Sequence, residues 1–285
     1  MNKPLFFKNK ENGYNLFGFL LQPERETTNN RRGIVFCDSI GTEKLYSHRV
    51  LVNFARLLRA QGYHVFLFDY YGNGDSEGDF ENTKLDTCLS DTKAAIEFLM
   101  EEAKIDELGL LGVRLGAVFA SLLAAKEKII KNLILWSPII DVGKYINDSL
   151  RENINLQLNI YKKIQFNRMQ LIEQIMNNIP VEIQGYVISK DFYNSFSQVD
   201  LKKIQLQFDT RTLVIEIQKM TTSVSKEITM LFKDNNQCFR TVVPEDPFWI
   251  YRGANHKYVT KSKVLFERTL SWLEVFDGNG RACKV

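Results

Sequence analysis

The sequence predicts an α/β fold: a mostly parallel, doubly wound sheet with antiparallel strands at its N-terminal edge and an inserted helical segment. Three observations predict it. Short apolar runs, typical of strands buried on both faces, alternate with amphipathic helical segments at the spacing of βαβ units. Two strand-like segments joined by a short turn precede this series. A helical stretch rich in Asn, Gln, Ile and Leu interrupts it after residue 141 and is too long for a connecting loop.

Each predicted strand is a short run of apolar and aromatic residues bounded by turn signals. Segments 4–8 and 14–22 flank a turn at 9–13 and are expected to pair antiparallel. The remaining strands are predicted at 33–37, 64–69, 108–111, 133–136, 212–217 and about 237–243. The crossovers between parallel strands are expected to be right-handed, and the functional site is expected at the edge of the sheet where the carboxyl ends of these strands lie.

The helices are predicted from apolar residues that recur at helical spacing. Segment 46–61 carries Val50, Phe54 and Leu58 on one face and is followed by Gly62, a favourable C-terminal cap. Further helices are predicted at 83–103, 115–126, 142–178, 223–235 and about 262–276. We therefore expect a core formed by residues 1–141 and 204–276, a helical cap at 142–203, and a tail at 277–285.

Composition excludes several classes of function. Hydrophobic residues make up 45% and charged residues 25%, and 37 basic against 34 acidic residues give a net charge of +3, so no nucleic-acid partner is indicated. No apolar run reaches the ~18 residues of a membrane span, and the N-terminus lacks a signal-peptide pattern. The four cysteines show no paired spacing, which favours reduced thiols, a cytoplasmic location, and neither metal nor cofactor. They are Cys37, Cys88, Cys238 and Cys283.

The chain is organised around the segment Gly112-Val-Arg-Leu-Gly116, which has the G-x-S-x-G spacing of a nucleophile elbow. The glycines are expected where the helix approaches neighbouring strands too closely for a Cβ. The position of the nucleophile is taken by Arg114, whose guanidinium stays protonated and cannot attack a carbonyl. Arg114 either plugs an inactive site by bonding to carbonyls or a carboxylate, or it holds an anion at the helix N-terminus.

Three stretches in this order resemble the α/β-hydrolase superfamily. They are residues 34–41 at the place of the oxyanion loop, residues 69–78, and the elbow. The second, Asp-Tyr-Tyr-Gly-Asn-Gly-Asp-Ser-Glu-Gly, is similar to the D-x-R-G-x-G-x-S-x-G loop of serine-aminopeptidase-like and esterase members; here it is interpreted as turn architecture. A narrower resemblance, over roughly residues 30–200, is to hydrolase-like proteins associated with exosortase systems, which are encoded near bacterial exopolysaccharide and surface-sorting machinery. Its motifs are G-x-R-L-G-A at the elbow, L-W-x-P at 135–138, and the segment 182–189.

The resemblance implies roles for particular positions. The oxyanion amides would be the N–H groups of Ile40 and Leu115, and the base would be His256. The usual acid position falls on Met220, which cannot orient a histidine. Asp141, after a neighbouring strand, is the candidate for a relocated acid, with the N-cap of the cap's first helix as its other interpretation.

Two residues of the oxyanion loop complete the candidate site. Asp38 is predicted to pair with Arg114, because the two loops that carry them converge at the sheet edge. Asp38, Ser39 and Arg114 together form the predicted anion-binding set. Ser39 or Cys37 beside His256 is an unconventional alternative nucleophile.

These residues favour a non-catalytic or very weakly active homologue that binds a small-molecule, acyl or anionic ligand in the cap cleft, or a protein partner. The first alternative is an active esterase, thioesterase or peptidase with non-standard machinery. The second is an accessory component of a surface-polysaccharide or sorting system.

Overall fold

The computed structural model describes residues 2–24, 31–203, 210–220, 223–250 and 262–274. Its strands are β1 (Asn2–Lys8), β2 (Asn15–Leu21), β3 (Arg32–Cys37), β4 (Tyr63–Phe68), β5 (Glu107–Val113), β6 (Ile130–Trp136), β7 (Val181–Ile183), β8 (Tyr186–Ile188), β9 (Arg211–Ile217) and β10 (Cys238–Val243). Its helices are α1 (Thr42–Ala60), α2 (Leu85–Ala103), α3 (Leu115–Ala124), α4 (Val142–Tyr161), α5 (Arg168–Met176), α6 (Lys190–Ser197), α7 (Lys226–Leu231) and α8 (Lys263–Glu274).

Eight of the strands form one sheet in the order β1-β2-β4-β3-β5-β6-β9-β10. β1 pairs antiparallel with β2, and β2 pairs antiparallel with β4. All other neighbours in the sheet are parallel. This confirms the predicted sheet, and it brings the carboxyl ends of β3, β5, β6 and β9 to one edge.

The sheet is covered on both faces, which explains why its central strands read as continuous apolar runs. Ile34 and Phe36 of β3 pack into the core that contains α1 and α8. Val35 and Cys37, which alternate with them, pack into the core of α2 and α3 on the other face. None of these four residues is more than 1% exposed.

The helix α1 begins at Thr42, four residues before the predicted start at residue 46. Gly41, at φ 63°, stands at its N-cap, so the chain turns directly from the oxyanion loop into the helix. This places Glu43 in the first turn, where a carboxylate is stabilised by the helix N-terminus. The earlier start decides which acidic residue reaches the elbow.

The cap, residues 142–203, contains a small hairpin that the sequence analysis did not predict. Strands β7 and β8 pair antiparallel across a turn at Gln184 and Gly185, both with positive φ. The predicted continuous helix at 142–178 is also wrong, because α4 ends where Lys162 takes a left-handed conformation. The chain restarts as α5 at a capping box between Asn167 and Gln170. The division into core and cap remains a prediction.

Candidate functional site at the elbow

The elbow joins β5 to α3 by a single residue in an unfavourable backbone conformation. Arg114 has φ 54° and ψ −116°, a region that residues other than glycine rarely adopt. A Cβ on Gly116 would collide with the backbone oxygens of Cys37 and Asp38, and one on Gly112 with the backbone of Ala117. The local geometry of a nucleophile elbow is therefore present, and the two glycines are required for the reason that the sequence suggested.

The guanidinium of Arg114 is held by protein groups. Its Nε and one terminal nitrogen both donate to Oε1 of Glu43, each at 3.1 Å. The other terminal nitrogen donates to the carbonyl oxygen of Ser137 at 3.4 Å. The second carboxylate oxygen of Glu43 accepts from the hydroxyl of Ser39 at 2.9 Å. One network thus joins the oxyanion loop, the first turn of α1 and the elbow.

Two aromatic side chains enclose the same guanidinium. The Arg114 Cζ atom lies 4.9 Å from the ring centre of Trp249 and 5.7 Å from that of Tyr145, distances at which a cation is attracted to a ring face. Burial raises the pKa of the Tyr145 phenol, and the Glu43 carboxylate beside it acts in the same direction. The guanidinium of Arg114 is thus near two aromatic rings, and its charge is balanced by one carboxylate.

The predicted pair between Asp38 and Arg114 is wrong. One oxygen of the Asp38 carboxylate accepts from the hydroxyl of Ser47 at 2.7 Å and from the backbone N–H of Ser39 at 2.7 Å. These bonds turn Asp38 toward α1, and Glu43 occupies the place next to Arg114. Burial raises the pKa of Asp38 to about 7, against the effect of its bond to Ser47.

The two predicted oxyanion amides line the same cavity as Arg114. Leu115 is the first residue of α3, so its N–H belongs to the unpaired first turn of that helix. Within the described residues, neither the N–H of Ile40 nor that of Leu115 has a hydrogen-bond acceptor. The role of these two groups as an oxyanion hole remains a prediction.

The cavity has a volume of about 440 Å³ and lies between the elbow and the cap. Arg114, Glu43 and Trp249 form its floor on the core side. Apolar side chains from the loop and the cap make up much of the wall, namely Ile40, Ile146, Ile183, Ile188 and Phe192. This volume and lining are typical of sites for small molecules with a large apolar part.

A second cavity, of about 570 Å³, lies on the other side of the oxyanion loop. Its walls include Phe17, Leu51 and Leu67, and one end carries the ion pair between Lys44 and Asp69. The two cavities share Gly41 and Tyr186 as lining residues. The cap hairpin therefore contributes to both.

The remaining candidate residues are not all brought to the elbow. His256 lies outside the described residues. Met220 follows β9 and is 93% exposed, so it makes no contact that could replace a carboxylate. Asp141 accepts a hydrogen bond from the backbone N–H of Lys144 at 2.8 Å. This confirms its interpretation as the N-cap of α4, and its role as a relocated acid remains a prediction.

The alternative nucleophiles lie in environments that suppress their reactivity. Cys37 is fully buried, and burial raises the pKa of its thiol to about 12, so it is protonated at neutral pH. Ser39 is likewise buried, and its hydroxyl donates to Glu43 rather than to an imidazole. Among the described residues, no cluster of three or more His, Cys, Asp or Glu side chains is arranged to hold a metal ion. Within those ranges, no helix has the length and hydrophobicity to cross a bilayer.

Three residues that define the site are not among those predicted from the sequence: Glu43, Tyr145 and Trp249. For Glu43 a signal was present, since an acidic residue two positions after Gly41 fits the first turn of a helix. For Tyr145 and Trp249 the signal is weak, because the sequence at the start of the cap and in the loop after β10 has no periodicity that would indicate which side chains face the cavity.

A family model identifies the family, and solved structures show the fold. The family model described as serine aminopeptidase, S33, matches residues 46–265. Est1E from Butyrivibrio proteoclasticus, in a structure with bound ferulic acid, aligns with a TM-score of 0.69 and 17% identity over 95% of this chain and 98% of that one. The α/β hydrolase GrgF from Penicillium sp. sh18 aligns with a TM-score of 0.61 and 17% identity over 96% of each chain. An esterase of Pyrococcus furiosus aligns with a TM-score of 0.61 and 15% identity over 96% of this chain and 90% of that one. No curated protein matches the chain in sequence. These likenesses confirm the predicted α/β-hydrolase fold.

Proposed function

The chain belongs to the serine aminopeptidase S33 family, and from that premise we propose that it is a member that binds an acyl compound in the cap cleft without forming an acyl-enzyme. The observation that carries this proposal is the guanidinium of Arg114 at the nucleophile position, bonded to Glu43 on the floor of the cavity. A protonated guanidinium has no lone pair for attack on a carbonyl carbon.

The ligand chemistry follows from the groups that face the cavity. Arg114 has five N–H groups, and three of them are used by acceptors within the described residues. The amides of Ile40 and Leu115 add two further donors. Glu43 balances the charge of Arg114, and Asp148 and Glu152 also line the cavity, so the site offers hydrogen-bond donors without a net positive charge. A carbonyl or carboxylate oxygen at the end of an apolar chain satisfies these donors, and the helix N-terminus favours negative charge on that oxygen.

The proposal is tested by measuring turnover and binding separately. We expect no hydrolysis of p-nitrophenyl acetate, butyrate or decanoate, and no labelling by a fluorophosphonate probe. We expect decanoate and methyl decanoate to raise the melting temperature in a concentration-dependent manner, since a ligand of the native state stabilises it. Labelling of any serine, or absence of both shifts at millimolar ligand, would contradict the proposal.

A pair of variants at one position localises the binding. Ser149 lines the cavity from α4 and donates to the carbonyl of Tyr145. Ser149→Trp places an indole in the cavity and should abolish the shift with decanoate. Ser149→Ala, the matched control, should retain it. An equal shift in both variants would place the ligand elsewhere.

The narrower placement with exosortase-associated proteins is part of the proposal, and the motifs at the elbow, at 135–138 and at 182–189 support it. A deletion strain should then lose or misplace a surface polysaccharide or a sorted surface protein. We also propose a cytoplasmic location, which the unpaired thiols of Cys37, Cys88 and Cys238 support. Cell fractionation that finds the protein in the extracytoplasmic or secreted fraction would overturn that part, whereas recovery with the cytoplasmic face of the membrane would not.

A further inference from the structure

The far end of the cap exposes an unusual amount of apolar surface. From residue 155 to residue 170, every side chain except that of Gln157 is exposed. The apolar members of this segment are Leu156, Leu158, Ile160, Tyr161, Ile164, Phe166 and Met169, with exposed fractions from 40% to 77%. We call this segment, residues 155–170, the cap tip. Contiguous exposed apolar surface of this kind marks an interaction site.

The geometry of α4 explains why the cap tip is not packed. The helix begins at Val142, directly after its N-cap Asp141, and Val142, Ile146 and Leu150 of its first half are at most 3% exposed. Its twenty residues extend for about 30 Å. In the second half, Ile154 and Gln157 face the rest of the cap, and after the left-handed turn at Lys162 the backbone N–H groups of residues 165 and 166 bond back to Gln157. The apolar side chains of the tip therefore point into solvent.

The charges on the cap tip all have one sign. Residues 153–172 contain no Asp or Glu, and they contain Lys162, Lys163 and Arg168. The whole chain, by contrast, has nearly equal numbers of basic and acidic residues. All three cations are exposed and alternate along the chain with the apolar residues Tyr161, Ile164, Phe166 and Met169.

We propose that the cap tip docks on an anionic lipid bilayer. Apolar side chains beside Lys and Arg fit the boundary between headgroups and acyl chains, where the side chains enter the hydrocarbon and the cations meet phosphate. Each Lys or Arg near an anionic surface strengthens binding about fivefold. A second copy of the chain is a poorer occupant, since a symmetric contact would bring like charges together. A protein partner is disfavoured because lysine is depleted in protein interfaces.

Docking in this way has a consequence for the cavity. Tyr145, Ile146 and Ser149, in the first half of α4, line the cavity near the elbow. The same helix thus links the bilayer contact to the cap cleft. The inference does not depend on the proposed function, because membrane binding is measured without any ligand in the cavity.

The experiment is vesicle co-sedimentation of the full chain at 50 mM and 500 mM NaCl. One vesicle set contains equal parts of phosphatidylglycerol and phosphatidylcholine, and the other contains phosphatidylcholine alone. Two variants of the tip are compared with the wild type, the apolar triple I160S/I164S/M169S and the charge-reversed triple K162E/K163E/R168E. The controls are Met230→Ser, an exposed methionine on α7, and K8E/K128E/K131E, three exposed lysines elsewhere.

The expected result is binding to anionic vesicles that weakens at high salt because the charges are screened. The charge-reversed triple should lose about 100-fold or more in partition coefficient, at about fivefold per cation. The apolar triple should also fail to bind, while both controls bind like the wild type. Circular dichroism checks that every variant is folded. The salt dependence of wild-type binding tests the inference even if a variant does not fold. Absence of binding at 50 mM salt, equal binding to both vesicle types, or a solution dimer that the apolar triple converts to a monomer would overturn the inference.

Discussion

The contact between Glu43 and Arg114 gives the sharpest test of how the site is built. Its side chains are 16% and 21% exposed, so the pair is only partly screened by water. Glu43→Gln keeps the size of the side chain and removes its charge, which leaves the guanidinium without an anion. Hydrogen bonds to charged groups contribute about 1.5–3 kcal/mol, so we expect a loss of about 2 kcal/mol in the free energy of unfolding. For a chain of this size that corresponds to a fall of about 4–8 °C in melting temperature.

A double-mutant cycle isolates the pair from the other contacts of each residue. The four proteins are the wild type, Glu43→Gln, Arg114→Gln and the double variant, and urea unfolding supplies each free energy. We expect a coupling of about 1–3 kcal/mol between the two sites. The matched control is Glu101→Gln, whose partner Lys10 lies 2.7 Å away on the open surface, and whose replacement should leave the melting temperature unchanged. A coupling energy near zero would refute the reasoning that Glu43 holds Arg114 in place.

The same substitution should change what the site binds. With Glu43 neutral, the positive charge of Arg114 faces the cavity without the carboxylate that is bonded to it. We expect Glu43→Gln to bind decanoate at least tenfold more tightly than the wild type, and methyl decanoate with little change, as measured by titration calorimetry. Tenfold corresponds to about 1.4 kcal/mol, which is within the range of one charged hydrogen bond. An equal gain in affinity for decanoate and methyl decanoate would show that the charge balance at Arg114 does not determine the preference between a carboxylate and an ester.

Further outcomes concern neighbouring residues. Because the pKa of Asp38 is raised to about 7, folded protein keeps this proton up to about pH 7, whereas unfolded chain releases it near pH 4. The free energy of unfolding therefore falls as pH rises through this window, and Asp38→Asn should remove about 2.5 kcal/mol of that fall between pH 5 and 8, measured by urea unfolding at each pH. Gly116→Ala should prevent soluble expression or lower the melting temperature by more than 10 °C, because its Cβ meets backbone atoms that cannot move aside. Arg114→Ser should show no hydrolysis of p-nitrophenyl butyrate, because Met220 stands at the acid position and Glu43 loses its cation.

The sequence predicted the sheet and the elbow because both depend on patterns within a few residues of one another. The apolar runs specify buried strands, and the spacing of Gly112 and Gly116 specifies a close approach of helix and strand. Both are local requirements of backbone geometry. The antiparallel N-terminal edge was likewise predicted from the short turn between two strands, whereas the strand order depends on long-range pairing and was not predicted.

The choice of carboxylate beside Arg114 could not be predicted with the same security. Asp38 and Glu43 are both close in sequence to the oxyanion loop, and which one reaches the elbow depends on where α1 begins. The sequence analysis placed that start at residue 46, which left Glu43 in the loop. With the helix beginning at Thr42, Glu43 projects from the first turn toward Arg114, and Asp38 bonds to Ser47 instead.

In the cap, helical periodicity did not reveal the break between α4 and α5 or the hairpin of β7 and β8. The hairpin of β7 and β8 had a readable signal, because Gln184 and Gly185 lie between two short apolar runs and glycine favours a turn with positive φ. The break between α4 and α5 also had one, in the capping-box pair Asn167 and Gln170. Apolar residues on both sides of the break follow helical spacing, so periodicity alone merged the two helices.

The backbone at residue 114 has a practical consequence for anyone who replaces that arginine. Every residue with a Cβ, alanine and serine included, has the same torsional penalty from φ 54° and ψ −116°, so replacing Arg114 by either one reports the loss of the arginine side chain without a change in backbone strain. Glycine would relax the turn as well as delete the side chain, and the two effects have opposite signs. If the glycine variant has the stability of the wild type, the gain from the relaxed turn has cancelled the loss of the side chain. It would not mean that the side chain contributes nothing.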